Sequence, residues 1–198
     1  ANRPKPGLMR QHLAAVQAAA RISGATVTQA ELGSSELAFE PGQVVAGDYE
    51  FAIGSAGRCT LVLQTLVLAL LNAEGPSTIR VTGGTHNDMA PPVQFLQRAY
   101  RPLLEAMGAP DGFSLGRDGF YPAGGGTAVA RVEPCTGLNP ITLHERGPRR
   151  AGYAEAFTAG IPPSVGQREL ACIGAKMGWV DAHLRPHVLP GGEGPGND

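Results

Sequence analysis

Little in this sequence suggests a disulfide-bonded or membrane-embedded protein. There are only 3 cysteines in 198 residues, and they are odd in number and far apart, which favours neither a disulfide framework nor a metal knuckle. The longest apolar run, residues 61–71, is interrupted by Gln64 and Thr65 and is too short to cross a bilayer. No signal-peptide pattern opens the chain. We therefore expect a cytoplasmic protein with reduced thiols and no membrane partner.

Net charge is also small, because 16 basic residues are balanced by 17 acidic ones. Overall electrostatics therefore do not attract nucleic acid, and any site for a polyanion must be local. The first residues form one such basic segment, since four basic side chains precede the first acidic residue, Glu31: Arg3, Lys5, Arg10 and Arg21. Arginine suits forked phosphate contacts. An ordinary solvated face would show the same composition, and both interpretations stay open.

The hydrophobic pattern predicts alternating helices and short strands. Helices are expected at residues 7–22, 59–72 and 92–107, and strands at residues 25–31, 36–40, 49–53, 77–81, 113–115 and 127–132. The helix at 59–72 is apolar nearly all round and should be buried. The 28 glycines and 17 prolines lie between these segments, which indicates many tight turns.

These elements indicate an α+β protein in two parts. Helix, glycine stop, hairpin and proline follow one another twice, at residues 8–41 and 92–134, which we interpret as a weak internal repeat. Short hairpins beside helices indicate mixed sheets with helices on one face. A further strand (153–158) and helix (163–177) then begin a smaller unit. We predict a core domain at residues 1–147 and an incomplete small α/β domain at 148–198.

Two glycine turns are candidate anion sites. Residues 51–60 read FAIGSAGRCT, a strand and a glycine turn before a helix, where backbone N–H groups and the positive helix end can face an anion. It is not a Walker A loop, because no Gly-Lys-Ser/Thr closes it. Gln64 lies one helical turn after Thr60, and a buried amide needs partners that a ligand could supply. A simple tight turn between strand and helix remains the alternative.

The second turn, residues 83–95, reads GGTHNDMAPPVQF. Pro91 and Phe95 would lie one turn apart near the start of a helix, and their two flat apolar faces could hold a base. Ordinary core packing of Phe95 is the alternative. The five histidines show no metal-ligand spacing, because Pro186 breaks the helix that would align His183 with His187.

Several motifs taken together resemble one family. They are RPKPGL at residues 3–8 with RQHL at 10–13, the turn at 51–60 with Gln64, the turn at 83–95, and GFYPAGGG at 119–126. In this order they resemble RNA 3'-terminal phosphate cyclases of the bacterial type, over nearly the whole chain.

The resemblance implies a fold and a reaction. The fold is a core of repeated units, each of two helices on a four-stranded sheet, similar to enolpyruvyl transferases, with a small inserted α/β domain. The reaction is the ATP-dependent conversion of an RNA 3'-phosphate to a 2',3'-cyclic phosphate: a histidine takes AMP, passes it to the RNA phosphate, and the 2'-hydroxyl displaces AMP. ATP, a divalent metal (Mg or Mn) and RNA 3'-phosphate ends are therefore the expected ligands.

The resemblance also assigns site residues. Gln64 matches a glutamine that contacts ATP, Pro91 and Phe95 match residues that flank the adenine, and Arg3 and Gln11 match polar groups around the phosphates. The family's glycine-rich start with its acidic metal contact is expected before Ala1, and its nucleophilic histidine beyond Asp198. The chain should therefore be an inactive fragment with no metal ligands of its own.

Two other functions are possible. A non-catalytic relative, a ribosomal-RNA processing factor, would keep the fold without the nucleophile, but it would not need the adenine pocket formed by Gln64, Pro91 and Phe95. An enolpyruvyl transferase would share only the architecture.

Overall fold

The computed structural model describes residues 6–54, 57–88, 90–109, 111–122 and 124–198. Its helices are α1 (Arg10–Ser23), α2 (Cys59–Leu70), α3 (residues 93–106) and α4 (Ser164–Met177). Its strands are β1 (Thr26–Thr28), β2 (Ala38–Glu40), β3 (Asp48–Ala52), β4 (Ser77–Gly83), β5 (Asp111–Arg117), β6 (Gly126–Val132), β7 (Ala154–Ala159), β8 (Leu184–Leu189) and β9 (Gly196–Asn197). The expected mixture of helices and mixed sheets is confirmed.

The first helix and the first hairpin follow the sequence pattern closely. Helix α1 ends where Gly24 takes the left-handed conformation, with a φ of 57°, and its N–H donates to the carbonyl of Ala20. Strands β1 and β2 then pair antiparallel, with Val27 opposite Phe39. The predicted hairpin is therefore present, with strands of three residues each.

A four-stranded mixed sheet lies at the centre of the core, in the order β3-β4-β6-β5. Strands β3 and β4 run parallel because α2 connects them, whereas β4 pairs antiparallel with β6, and β6 with β5. Two connecting helices, α2 and α3, pack on this sheet. Residues 48–132 thus form one unit of two helices on a four-stranded sheet.

Helix α2 contributes six side chains to the described hydrophobic core: Cys59, Val62, Leu63, Leu66, Val67 and Leu70. Leu63, Leu66 and Leu70 are fully buried, and burying a leucine side chain contributes about 1.5–3 kcal/mol. The expectation that this helix is buried is wrong at two positions: Thr65 is exposed, and so is Leu68, at 46%. Leu68 lies on the side of α2 that the sheet and α1 leave open to solvent.

Helix α3 is not regular. Val93–Phe95 is α-helical, Leu96–Tyr100 forms a π turn, and Arg101–Ala106 is α-helical again. Pro102 has no N–H to donate, and an irregular turn before a proline is a common way to accommodate that loss.

The smaller unit places β7 between two neighbours. Strand β8 runs parallel to β7, and the short strand β9 pairs antiparallel on its other edge. Helix α4 packs across β7 and β8 through Gly166 and Gly174, which are both buried. Gly196 and Asn197, near the end of the chain, form β9.

The repetition expected within the core is not confirmed. Within the described ranges, β1 and β2 form a sheet of their own, while β5 and β6 belong to the central sheet. The two helix-hairpin segments therefore have different surroundings. In the part of the chain that is described, no helix is both long and apolar enough to cross a membrane.

Candidate functional site

The two glycine turns lie against each other, backbone to backbone. Gly84 N–H donates to the carbonyl of Gly57 (2.8 Å), and Cys59 N–H donates to the carbonyl of Gly84 (2.9 Å). A Cβ at Gly83 would lie 2.6 Å from the carbonyl oxygen of Gly57, so only glycine fits this approach. The glycines thereby bring the N-terminus of α2 beside the end of β4.

One arginine links these turns a second time. Arg58, the N-cap residue of α2, donates from Nε (3.0 Å) and from Nη2 (2.8 Å) to the backbone carbonyl of Asp88. Because both bonds go to a neutral carbonyl group, they do not offset the positive charge of the guanidinium. The fork fixes the loop after residue 86 against the start of α2.

The third motif, residues 119–126, is joined through Thr85. Its hydroxyl oxygen accepts from the N–H of Gly119 (2.9 Å), while its backbone N–H donates to the Gly119 carbonyl (2.8 Å). A Cβ at Gly126 would lie 2.8 Å from the Thr85 methyl carbon. This packing places Tyr121 and Pro122 beside the glycine turns.

A cavity of about 470 Å³ opens where these motifs meet α1. Its described lining residues come from all four motifs that carried the family resemblance: Gln11, Gly57, Arg58, Asn87, Asp88, Tyr121 and Pro122. A volume of this size is in the range of ligand pockets. Tyr121 is 72% exposed at the cavity edge.

Two helix starts face this cavity. Gln11 lies in the first turn of α1, and Arg58 precedes α2. Neither helix has an acidic residue in its first turn. Because the N-terminal end of a helix carries partial positive charge, both helices favour a bound anion here. The carboxylate of Asp88 offsets part of that charge.

His86 precedes the cavity residue Asn87 and belongs to a buried network. Its side chain is fully buried, and its ring stacks on Phe120 at 4.8 Å between centroids. Nε2 donates to the amide oxygen of Gln94 (3.1 Å), which leaves Nδ1 to accept from the Thr85 hydroxyl (2.9 Å). Burial lowers the pKa of His86, although the nearby Asp198 carboxylate opposes this effect. His86 is therefore neutral and has a structural role.

Asp118 and Glu193 connect the central core with the smaller unit. Oδ1 of Asp118 lies 3.5 Å from His86 Nδ1 and has no hydrogen-bond partner among the described residues. Burial raises the pKa of Asp118, while its hydrogen bond with Glu193 acts in the opposite direction. Burial, followed by the charge of Asp118, also raises the pKa of Glu193. Beside them, Arg117 Nη2 donates to the Gly192 carbonyl (2.6 Å).

Of the predicted site residues, Gln11 lies on the cavity wall. Gln64 lies on α2 but not among the lining residues of that cavity. Its amide is half-buried and has no hydrogen-bond partner within the described residues. That a bound ligand supplies a hydrogen bond to this amide therefore stays a prediction.

Pro91 and Phe95 flank the start of α3, outside the described lining of the cavity. Phe95 is 46% exposed, which contradicts core packing of its ring, whereas Pro91 is half-buried. Arg3 and Lys5 lie outside the described residues. Their predicted phosphate contacts stay predictions.

The sequence interpretation missed a role for Arg58, Asn87 and Asp88. All three lie inside the quoted motifs, yet none was selected as a site residue. A signal for Arg58 was available, since it is the only cation between the glycine turn and the first turn of α2. Asn87 and Asp88 could not be chosen without knowing that the two turns pack together.

Nucleophiles and metal ligands are few in the described part of the chain. Burial raises the pKa of the Cys59 thiol to about 12, so this thiol is protonated and unreactive. His12 Nδ1 accepts from the N–H of Met9 (3.0 Å) and caps α1. Within the described ranges, no group of three or more histidine, cysteine, aspartate or glutamate side chains could hold a metal ion.

Comparison with known proteins agrees with the order of the motifs. The family model described as RNA 3'-terminal phosphate cyclase matches residues 1–191. The chain is 54% identical over 198 residues to an RNA 3'-terminal phosphate cyclase of Ralstonia nicotianae (strain ATCC BAA-1114 / GMI1000), and covers 56% of that relative. It is 50% identical over 197 residues to one from Ectopseudomonas mendocina (strain ymp), and covers 58% of it. The chain thus spans little more than half the length of these curated relatives, and all of it takes part in both matches. It belongs to the RNA 3'-terminal phosphate cyclase family.

Proposed function

We propose that this chain is the part of an RNA 3'-phosphate cyclase that binds ATP and the RNA end. The complete enzyme would convert an RNA 3'-terminal phosphate to a 2',3'-cyclic phosphate, with cleavage of ATP to AMP and diphosphate, which is a ligase reaction. We expect it to act in the cytoplasm. Both relatives described above are named for this activity, and their matches extend over all of this chain.

The observation that carries the proposal is the meeting of four motifs at one cavity. Gln11, Arg58 and Tyr121 come from segments far apart in the sequence, yet they line the same space of about 470 Å³. Two helix starts and one forked guanidinium make this space favourable for phosphate groups. We assign it to the phosphates of ATP and of the RNA end.

We assign the adenine to Phe95 and Pro91. Phe95 presents an exposed ring at the start of α3, where a base could stack on it. Gln64 offers an amide with no hydrogen-bond partner among the described residues, and it could read a polar edge of the nucleotide. Arg3 would contact the phosphates.

In the proposed reaction, a histidine attacks the α-phosphate of ATP and diphosphate leaves. The RNA 3'-phosphate then takes the AMP from the histidine, and the neighbouring 2'-hydroxyl displaces AMP while losing its proton. This third displacement closes the cyclic phosphate. Cations over these charged intermediates supply the electrostatic stabilisation, and Arg58 is placed to be one of them.

We propose that the nucleophilic histidine belongs to a part of the enzyme outside this chain. His86 is neutral, buried and fully engaged, and His12 caps a helix. A divalent metal remains part of the proposal, although no three histidine, cysteine, aspartate or glutamate side chains come together around one site within the described residues.

The ribosomal-RNA processing factor is the second candidate. The exposed Phe95 ring and the unpartnered Gln64 amide favour the enzyme, because a factor without ATP chemistry needs neither. Both functions predict RNA binding, so nucleotide binding separates them. The test is calorimetric titration of the full-length protein with ATP and with GTP. Saturable binding of ATP is expected, and its absence would exclude the enzyme.

A further inference from the structure

A row of arginine and aromatic side chains lies on the surface of the smaller unit, separate from the cavity. The Arg185 guanidinium lies 4.1 Å from the centroid of the Tyr153 ring, and the Arg149 guanidinium lies 5.1 Å from that of Trp179. The ring of His183 stacks on Trp179 at 5.6 Å. We call this set, Arg149, Tyr153, Trp179, His183 and Arg185, the arginine-aromatic row.

The two arginine-aromatic pairs are neighbours. A Cβ at Gly152 would lie 2.9 Å from the Trp179 ring and would also meet the Arg149 guanidinium. Gly152 precedes Tyr153 directly, so its backbone connects one pair to the other. Arg149 and Arg185 are exposed, and Tyr153 is 39% exposed. The two pairs therefore lie next to each other along the chain at the start of β7, one on each side of it.

The guanidinium N–H groups of Arg149 and Arg185 are available for further hydrogen bonds. Neither Arg149 nor Arg185 makes a hydrogen bond or ion pair with another described residue. Each is held over a ring by a cation-π contact, which leaves its N–H edge available to solvent or to an anion. The acidic residues nearby differ in exposure: Asp181 is exposed, whereas Glu155 is largely buried and paired with Arg98. The charge at the row is thus offered mainly by unpaired arginines.

The row also reaches the core. Arg98 on α3 donates to the Tyr153 hydroxyl (3.3 Å) and pairs with Glu155 at the start of β7. Arg98 follows Phe95 by three residues on α3. The row therefore begins close to the residue that we assign to the adenine and runs away from it across the smaller unit.

We propose that the arginine-aromatic row binds the single-stranded RNA that leads to the 3'-phosphate. Single-stranded RNA is recognised by stacking of its bases on aromatic rings and guanidinium planes, with cations along the phosphates. Trp179, Tyr153 and the two unpaired arginines provide both kinds of contact. This inference rests on the proposed function, which places the RNA 3' end in the cavity and thereby sets the direction in which the RNA strand runs along the row.

The experiment measures RNA binding directly by fluorescence anisotropy with the full-length protein. The probes are oligouridylates of three and twelve nucleotides, each with a 3'-phosphate. The variants are Trp179→Ala and, at exposed positions, Arg149→Ala and Arg185→Ala. Arg168→Ala is the matched control, since Arg168 is exposed on α4 and has no aromatic contact within the described residues.

We expect Trp179→Ala to weaken binding of the twelve-nucleotide probe about tenfold, the scale of one base stacked on an aromatic ring. The double variant Arg149→Ala/Arg185→Ala should lower the slope of log K against log salt by about 1.4, which corresponds to two phosphate contacts. Binding of the three-nucleotide probe and the behaviour of Arg168→Ala should not change. Because the arginine variants alter only exposed side chains, they test the row even if Trp179→Ala fails to fold.

Unchanged affinity and salt slope for the twelve-nucleotide probe in the arginine variants would overturn the inference. Equal affinity of the wild-type protein for the two probes would do the same, because no RNA contact beyond the end would then exist. Failure of the proposed function would give a different result. RNA binding would still depend on length and would still be weakened by the row variants, but no cyclic phosphate would form in the presence of ATP.

Discussion

The guanidinium of Arg58 donates two hydrogen bonds, of 3.0 and 2.8 Å, to the backbone carbonyl of Asp88. This contact joins the turn before α2 to the turn before α3 at the wall of the cavity. Replacement Arg58→Ala should therefore weaken binding of ATP about tenfold, because it removes a cation from the phosphate site and frees the Asp88 loop. Calorimetric titration with ATP checks this.

Arg80→Ala is the matched control, since Arg80 is exposed and its ion pair among the described residues is with Glu50. Exposed ion pairs of this kind contribute about 0–1 kcal/mol. Arg58→Lys should recover little of the lost affinity, because an ammonium group cannot fork onto one carbonyl as guanidinium does. ATP affinity equal to wild type in a folded Arg58→Ala protein would place the phosphates elsewhere.

Phe95→Ala should weaken ATP binding by about 1–3 kcal/mol, the value of stacking a base on an aromatic ring. The loss should concern the adenine alone, so the affinity for inorganic tripolyphosphate should stay constant. Stability should change little, because the Phe95 ring is 46% exposed.

Leu103→Ala provides the comparison for Phe95→Ala. Leu103 lies on the same helix and is 44% exposed. A similar loss of ATP affinity in both variants would indicate a general disturbance of α3. No loss in either variant would remove Phe95 from the adenine site.

Asp118→Asn should stabilise the protein at pH 8 and not at pH 4. Burial raises the pKa of Asp118 above its ordinary value of 3.8, so the protonated form is favoured in the folded protein. The stability associated with this proton is complete below pH 3.8 and is lost as the pH rises through the folded pKa. An asparagine stays neutral throughout. Thermal unfolding between pH 4 and 8 measures the difference.

Two titratable groups lie beside Asp118, namely the neutral ring of His86 and the carboxyl of Glu193, and Arg117 lies near Glu193. Glu193 has a raised pKa as well and should titrate together with Asp118. The control is Asp48→Asn, at an exposed position on β3. A melting temperature for Asp118→Asn that follows the wild-type value at every pH would show that the carboxyl pair contributes nothing at this contact.

The 198-residue chain should form no covalent adduct with AMP. Nucleophilic attack needs a histidine about 3–3.5 Å from the α-phosphate. No histidine is among the described residues that line the cavity. Incubation with ATP labelled at the α-phosphate and a divalent metal, followed by a test for acid-labile label, checks this. Stoichiometric label that disappears in His12→Ala would show that this chain carries the nucleophile.

The secondary structure was largely predictable, because it depends on local signals. The apolar spacing and Gly24 define α1, and the alternation before Gly54 defines β3. Four features depend on tertiary packing instead and were missed: the π turn in α3, the strands β8 and β9, and the exposure of Leu68. Strand β9 has only two residues and is recognisable only from its pairing with β7.

The candidate site was predictable only motif by motif. The glycines indicated tight turns and candidate anion sites, and the structure brings the two turns together through backbone hydrogen bonds at Gly57 and Gly84. Which turn lies against which is decided by the order of strands in the sheet, which the sequence pattern does not contain. Arg58 and Asp88 therefore became a pair only in the folded chain.

The central claim is the ATP-dependent closure of a 2',3'-cyclic phosphate on RNA. The most direct measurement incubates the full-length protein with 5'-labelled RNA bearing a 3'-phosphate, with ATP and a divalent metal, and follows the resistance of the terminal phosphate to phosphatase together with the release of AMP. The account predicts a phosphatase-resistant 2',3'-cyclic end, with AMP formed in equal amount and no product without ATP. A 3'-phosphate that stays fully sensitive to phosphatase, in a protein that binds both ATP and the RNA, would contradict it.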